Sequence, residues 1–113
     1  MDEKDHLLLV LITAPDLEIA QKLARALVTN QIAACVNIVP SLLSIYSWEE
    51  KVQEDQEVLL LVKTREELLE DHLLPLIHDL HPYDLPEIIS LPIVGGSKSY
   101  LNWIREETNG DHS

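Results

Sequence analysis

The segment His81-Pro82-Tyr83-Asp84-Leu85-Pro86-Glu87-Ile88 sets an imidazole, a phenol and two carboxylates within eight residues. An imidazole can ligate a borderline metal, and an imidazole, a phenol and a carboxylate at the edge of an apolar pocket can orient a small ligand. Each proline holds the residue before it in extended geometry. Pro82 and Pro86 are therefore expected to end a helix and feed a strand, whatever else the segment does. His78 precedes His81 by three positions, which would put both rings on one helix face. Pro82 is expected to unwind the second of them.

Cys35 is the only cysteine and so the one thiol ligand. With histidine it forms the donor set that Cu(I), Cu(II) or zinc would choose. Its setting, "AACVN", also suits a small buried hydrophobe in a strand. Thiolate chemistry would need an electropositive neighbour, and the sequence places none nearby. His6, His72 and His112 are expected at the surface. Catalytic signatures are missing: there is no G-x-S-x-G, no H-E-x-x-H and no phosphate loop around Gly95-Gly96. Asp84 and Glu87 have no nucleophile to serve. The expectation is a protein that is not an enzyme.

The elements that must carry these groups fit one domain over residues 1–113, with an ordered core of about 6–107. The chain has 113 residues, 46% of them apolar and none of them Phe, so its core is aliphatic. Twenty acids against 8 Lys+Arg give a net charge of −12, which repels nucleic acid and anionic lipid. No apolar run is long enough to span a bilayer. The start "MDEKDH" lacks the basic region of a signal peptide. A single cysteine fits a reduced compartment, and the expected location is the cytoplasm.

"HLLLVLIT" (6–13) reads as a strand buried on both faces. Pro15–Asn30 reads as an amphipathic helix with Pro15 at its first position. Ala33–Val39 is a second strand, interrupted at Pro40, with extended character resuming over Leu43–Trp48. Glu49–Lys51 is the turn, and a third strand has its apolar heart at Val58–Val62. Thr64-Arg65-Glu66-Glu67 fits a capping box for a second helix, whose stripe is Leu69, Leu73, Leu76 and Leu80 and which Pro75 should kink. A fourth strand is expected around Glu87–Val94. Ser97 or Ser99 then caps a last helix with Tyr100, Leu101, Trp103 and Ile104 on its apolar side. The tail beyond Glu107 is expected to fray.

This order is β-α-β-β-α-β plus a helix, the α+β pattern of a ferredoxin-like sandwich with a four-stranded antiparallel sheet. Both long helices then lie on one sheet face. Strands one and three are apolar on successive residues, so both faces need cover. A bare face would exceed the roughly 400 Å² of contiguous apolar surface that soluble domains tolerate. The cheapest cover is another copy of the same sheet, so a homo-oligomer is expected.

The words "AACVNIVPSLLSIYSWEEKVQEDQEVLLLVKT", "LHPYDLPEIISLPI" and "YLNWI" occur in that order. They closely resemble the CutA divalent-cation tolerance family, from Leu8 to about Ile104. The resemblance implies a PII-like homotrimer with the sheets facing inward and the hairpin reaching to a neighbour. It implies a role in tolerance of divalent metals, notably copper, with divalent ions and the chain itself as partners. Metal candidates are His81 and Cys35. A copper site proposed in some bacterial relatives would map onto Ile12, Leu80 and His81, of which only His81 is a ligand type. The resemblance also places Trp48, Tyr83 and Glu87 among the family's recurring words, as candidates for a cleft between subunits. The competing reading is a signalling or scaffold trimer that binds a small ligand or peptide there without metal. The family's W-x-G-K turn reads here with Glu50 in place of glycine.

Overall fold

The structure, a computed structural model, describes residues 6–110 and 112. Strand β1 (Leu7–Ala14) leads into helix α1 (Leu17–Thr29). Strands β2 (Cys35–Trp48) and β3 (Lys51–Arg65) form one long hairpin. A helical stretch follows, ending in α2 (Leu74–Leu80), then strand β4 (Ile88–Pro92) and helix α3 (Lys98–Glu107). The four strands pair antiparallel in the order β2-β3-β1-β4, the ferredoxin-like arrangement expected from the sequence.

Alternation along each strand divides the sheet into two unlike faces. Leu8, Val10 and Ile12 of β1 and Val58, Leu60 and Val62 of β3 point into the core. There they meet Ala20, Leu23 and Leu27 of α1 and Leu73 and Ile77 of the second helical stretch. The residues between them point the other way. Leu9, Leu11, Leu59 and Leu61 are half-buried, while Val39, Ile89 and Leu91 are exposed. Helix α3 shields only one end of this face, packing Ile104 on Leu7 and Ala34. Arg65 pins it there: its Nε donates to the Thr108 hydroxyl at 2.9 Å and its Nη2 to the Thr108 carbonyl at 2.6 Å.

Several local expectations change. Helix α1 starts at Leu17 because Asp16, not Pro15, opens it: the Asp16 carboxylate accepts from the Ile19 N–H at 2.8 Å. Strand β2 runs straight through Pro40, and the disturbance is absorbed as a shift in pairing between Val39 and Leu42, with Ser41 at φ 64°. The Thr64 capping box does not form. Strand β3 extends to Arg65, and the buried Thr64 hydroxyl donates instead to the Ile32 carbonyl at 2.6 Å. The helical stretch therefore begins without a side-chain cap, as a 3₁₀ turn (Glu66–Leu68) and a π turn (Leu69–Leu73). The wide turn sits immediately before the α2 segment that holds Pro75, whose ring removes a ladder donor. Strand β4 is shorter than expected, at Ile88–Pro92. Ser97 occupies the cap position of α3, but its hydroxyl meets that of Ser99 at 3.2 Å rather than the helix backbone. On α3 only Ile104 is buried; Tyr100 and Trp103 are exposed, with ring centroids 5.5 Å apart. The tail is not frayed at its start, since Thr108 is fully buried under Arg65.

At the tip of the hairpin Trp48 pairs with Lys51, leaving Glu49 and Glu50 as a tight turn with φ values of 51° and 64°. Two positive φ values in a two-residue turn suit Asn-Gly, and a side chain there costs roughly 1 kcal/mol. Glu50→Gly is therefore predicted to raise the thermal midpoint by about 4 °C in a melt followed by circular dichroism. No rise, or a fall, would show that the turn has another shape in solution.

Candidate functional site

The His81 segment does first what its prolines dictate. Helix α2 ends at Leu80, and His81 stands at φ −78°, ψ 135°, the extended geometry that Pro82 imposes. This turns the imidazole inward, to 7% exposure. The Tyr83 N–H donates to Nδ1 at 3.1 Å, so Nδ1 carries no proton and Nε2–H donates to the Thr13 carbonyl at 2.7 Å. The ring thus clamps the loop to the end of β1. It also places the Tyr83 ring 4.9 Å from its own centroid.

Tyr83 in turn faces β3. Its hydroxyl donates to Glu57 Oε2 at 3.2 Å. Burial and the Glu57 carboxylate push this phenol up to about 12. Across the hairpin the Tyr46 hydroxyl donates to Asp55, and that bond is the chief reason its own pKa is raised. The outcome is an open cleft of about 730 Å³ at the hairpin end of the sheet, between β2–β3 and the His81 loop. Trp48, Tyr83 and Glu87 all line it, so the structure brings these three candidates together. Thr13, Tyr46 and Glu57 also line it.

The two metal candidates stand apart. Cys35 pairs with Lys63, which is level with Leu9, whereas His81 is held at Thr13. From Leu9 to Thr13 the strand advances about 13 Å. Both imidazole nitrogens of His81 are committed to hydrogen bonds, so this chain alone offers no preformed Cys35–His81 centre. Among the described residues no three His, Cys, Asp or Glu side chains converge as a metal site. His78 is exposed on α2 while His81 is buried, so that pair shares no face. His6 lies at the surface beside Glu66 at 3.3 Å. His72 and His112 are half-buried, with ring centroids 5.2 Å apart and planes tilted by 53°, beside a second groove.

Cys35 is half-buried on the open sheet face, not in the core. Its electropositive neighbour, hidden in the sequence by 28 positions, is its cross-strand partner: Lys63 Nζ lies 4.0 Å from Sγ. Tyr100 of α3 also approaches the thiol; burial, followed by the sulfur, raises that phenol's pKa. Glu57 and Asp55 were likewise missed by reading along the chain. The hairpin register, which sets Leu42 against Glu57 and Ser44 against Asp55, is the signal that would have found them.

Known proteins resemble this chain in both sequence and fold. The sequence profile of the CutA1 divalent ion tolerance protein family matches residues 8–107. A divalent-cation tolerance protein CutA of Thermus thermophilus is 52% identical over 103 residues, covering 88% of this chain and 95% of the relative. A solved structure of a Thermus thermophilus divalent cation tolerance protein (Cut A1) superposes with a TM-score of 0.88, over 90% of this chain and 98% of that one. The CutA1 structure from Oryza sativa, 43% identical, gives 0.90 over 99% and 100%. The chloroplastic CutA protein of Arabidopsis thaliana is 50% identical over 89% of this chain, which spans 55% of that relative's length.

His81→Ala strands the Thr13 carbonyl and the Tyr83 N–H together. It is predicted to cost about 2 kcal/mol in denaturant unfolding. A loss within a few tenths of wild type would mean that water replaces the ring without penalty.

Proposed function

The chain belongs to the CutA1 divalent ion tolerance family, and on that premise we propose that it serves tolerance of divalent cations, copper foremost, as a homotrimer that binds metal weakly and conditionally. The observation that carries the assembly is the open sheet face. Leu9, Leu11, Leu59, Leu61, Ile89 and Leu91 form an apolar platform that α3 covers only at one end. Three copies of the sheet turned inward would bury it. The hairpin supports the same reading, since Leu43, Ile45 and Val52 near its tip are 58%, 64% and 80% exposed. Apolar side chains on a projecting arm fit a neighbour's surface better than water.

Metal binding on this reading is conditional because of where the candidate ligands lie. Cys35 sits on the face where copies would meet, and Lys63 beside it supplies the positive charge that suits a thiolate ligand. His81 can join only by giving up Thr13 or Tyr83. The excess of acids, 20 against 8 basic residues, adds diffuse, weak affinity for cations without a fixed centre. No turnover is part of this proposal.

Calorimetric titration of the purified assembly with copper(II), and with zinc(II) as a redox-inert check, tests it. Cys35→Ser should weaken saturable binding about tenfold, equivalent to roughly 1.4 kcal/mol. His81→Ala should change affinity far less than it changes stability. Heats no larger than those of an unrelated acidic protein, or binding indifferent to Cys35→Ser, would overturn the metal reading.

A further inference from the structure

The cleft beside the hairpin has a composition that a metal reading leaves unused. Its charged lining is Glu57, Asp84 and Glu87, with no Lys or Arg among the residues that form it. Its aromatic lining is Tyr46, Trp48 and Tyr83. Glu57 is 8% exposed, an unusual depth for a carboxylate. Among the described residues its one hydrogen bond comes to Oε2 from a neutral phenol. The ion pairs His6–Glu66 and Arg65–Glu67 lie elsewhere and do not neutralise it. A buried carboxylate facing a cavity without a counter-charge favours a cationic guest.

We infer that this cleft binds a small organic cation, an alkyl- or arylammonium whose charge meets Glu57 and whose apolar body lies against Trp48 and Tyr83. The aromatic walls are the reason to prefer an organic cation over a bare ion. Ring faces attract a diffuse positive charge and shelter hydrocarbon, whereas a hard divalent ion needs converging oxygens. Such a convergence is missing among the described residues. An open cavity of about 730 Å³ has ample room for such a molecule. Burial at Tyr83 and the Asp55 hydrogen bond at Tyr46 are the first causes of their raised pKa values, and the Glu57 and Asp55 carboxylates add to both. The inference is independent of the metal reading, since Cys35 lies at the other end of the sheet.

The test uses benzylammonium chloride, with benzyl alcohol and benzoate as neutral and anionic counterparts, titrated into the full-length protein in its native assembly and followed by ligand-observed NMR. Benzylammonium should bind saturably and at least about tenfold more tightly than benzyl alcohol, and benzoate should not bind. Glu57→Gln should erase the preference for the cation, and Cys35→Ser should leave it intact. Should Glu57→Gln fold poorly, Trp48→Leu at the exposed rim carries the test and should weaken benzylammonium at least about threefold. Equal binding of amine and alcohol, no saturable binding, a preference that persists in Glu57→Gln, or binding indifferent to Trp48→Leu would each overturn the inference.

Discussion

A sheet with two apolar faces and a roof for only one of them is the constraint on which the rest of this molecule depends. The alternation that sends Leu8, Val10 and Ile12 under the helices sends Leu9 and Leu11 to the opposite side, and β3 repeats the pattern with Leu59 and Leu61. Antiparallel sheets that face water on one side carry polar residues there. Here the middle of that side is Leu9, Leu11, Leu59, Leu61, Ile89 and Leu91, with Asn37, Lys63 and Glu57 around it. The energy that folds the core therefore also creates a surface that water disfavours, and helix α3 relieves it at one end alone. Cys35 lies toward the α3 end of that surface, and the acidic cleft lies at its far margin, between the hairpin and the His81 loop.

The His81 loop shows how a structural duty can generate a site. Its imidazole is buried and bonded at both nitrogens, which makes it a clamp between the loop and β1. The clamp fixes Tyr83, Tyr83 meets Glu57, and the carboxylate is thereby presented to the cleft. Histidine here contributes position. The chemistry falls to its neighbours, and a metal can recruit the ring only at the cost of the geometry that the ring maintains.

Much of this was legible in the sequence because it rests on local rules. The continuous apolar run of β1, the three-and-four spacing in α1, the disturbance at Pro40 and the helix stop before Pro82 each follow from residue type and period. The left-handed Glu50 stands where the resemblance to the family's W-x-G-K turn implies glycine. What escaped was set by partners distant in sequence. Thr64 looks like a helix cap until the Ile32 carbonyl takes its hydroxyl. Thr108 looks like a fraying tail until Arg65 binds it, and Cys35 looks isolated until β3 brings Lys63 beside it. Trp48, Tyr83 and Glu87 could be named as candidates, but the buried Glu57 that gives their cleft its sign could not, because only the strand register places it there.

The claim beneath all of this is that the open face is closed by copies of the same chain. Sedimentation equilibrium of the untagged protein at low micromolar concentration measures that directly. The account predicts one species of three chain masses, persisting on dilution. A folded, soluble particle of a single chain mass, stable over hours, would contradict it.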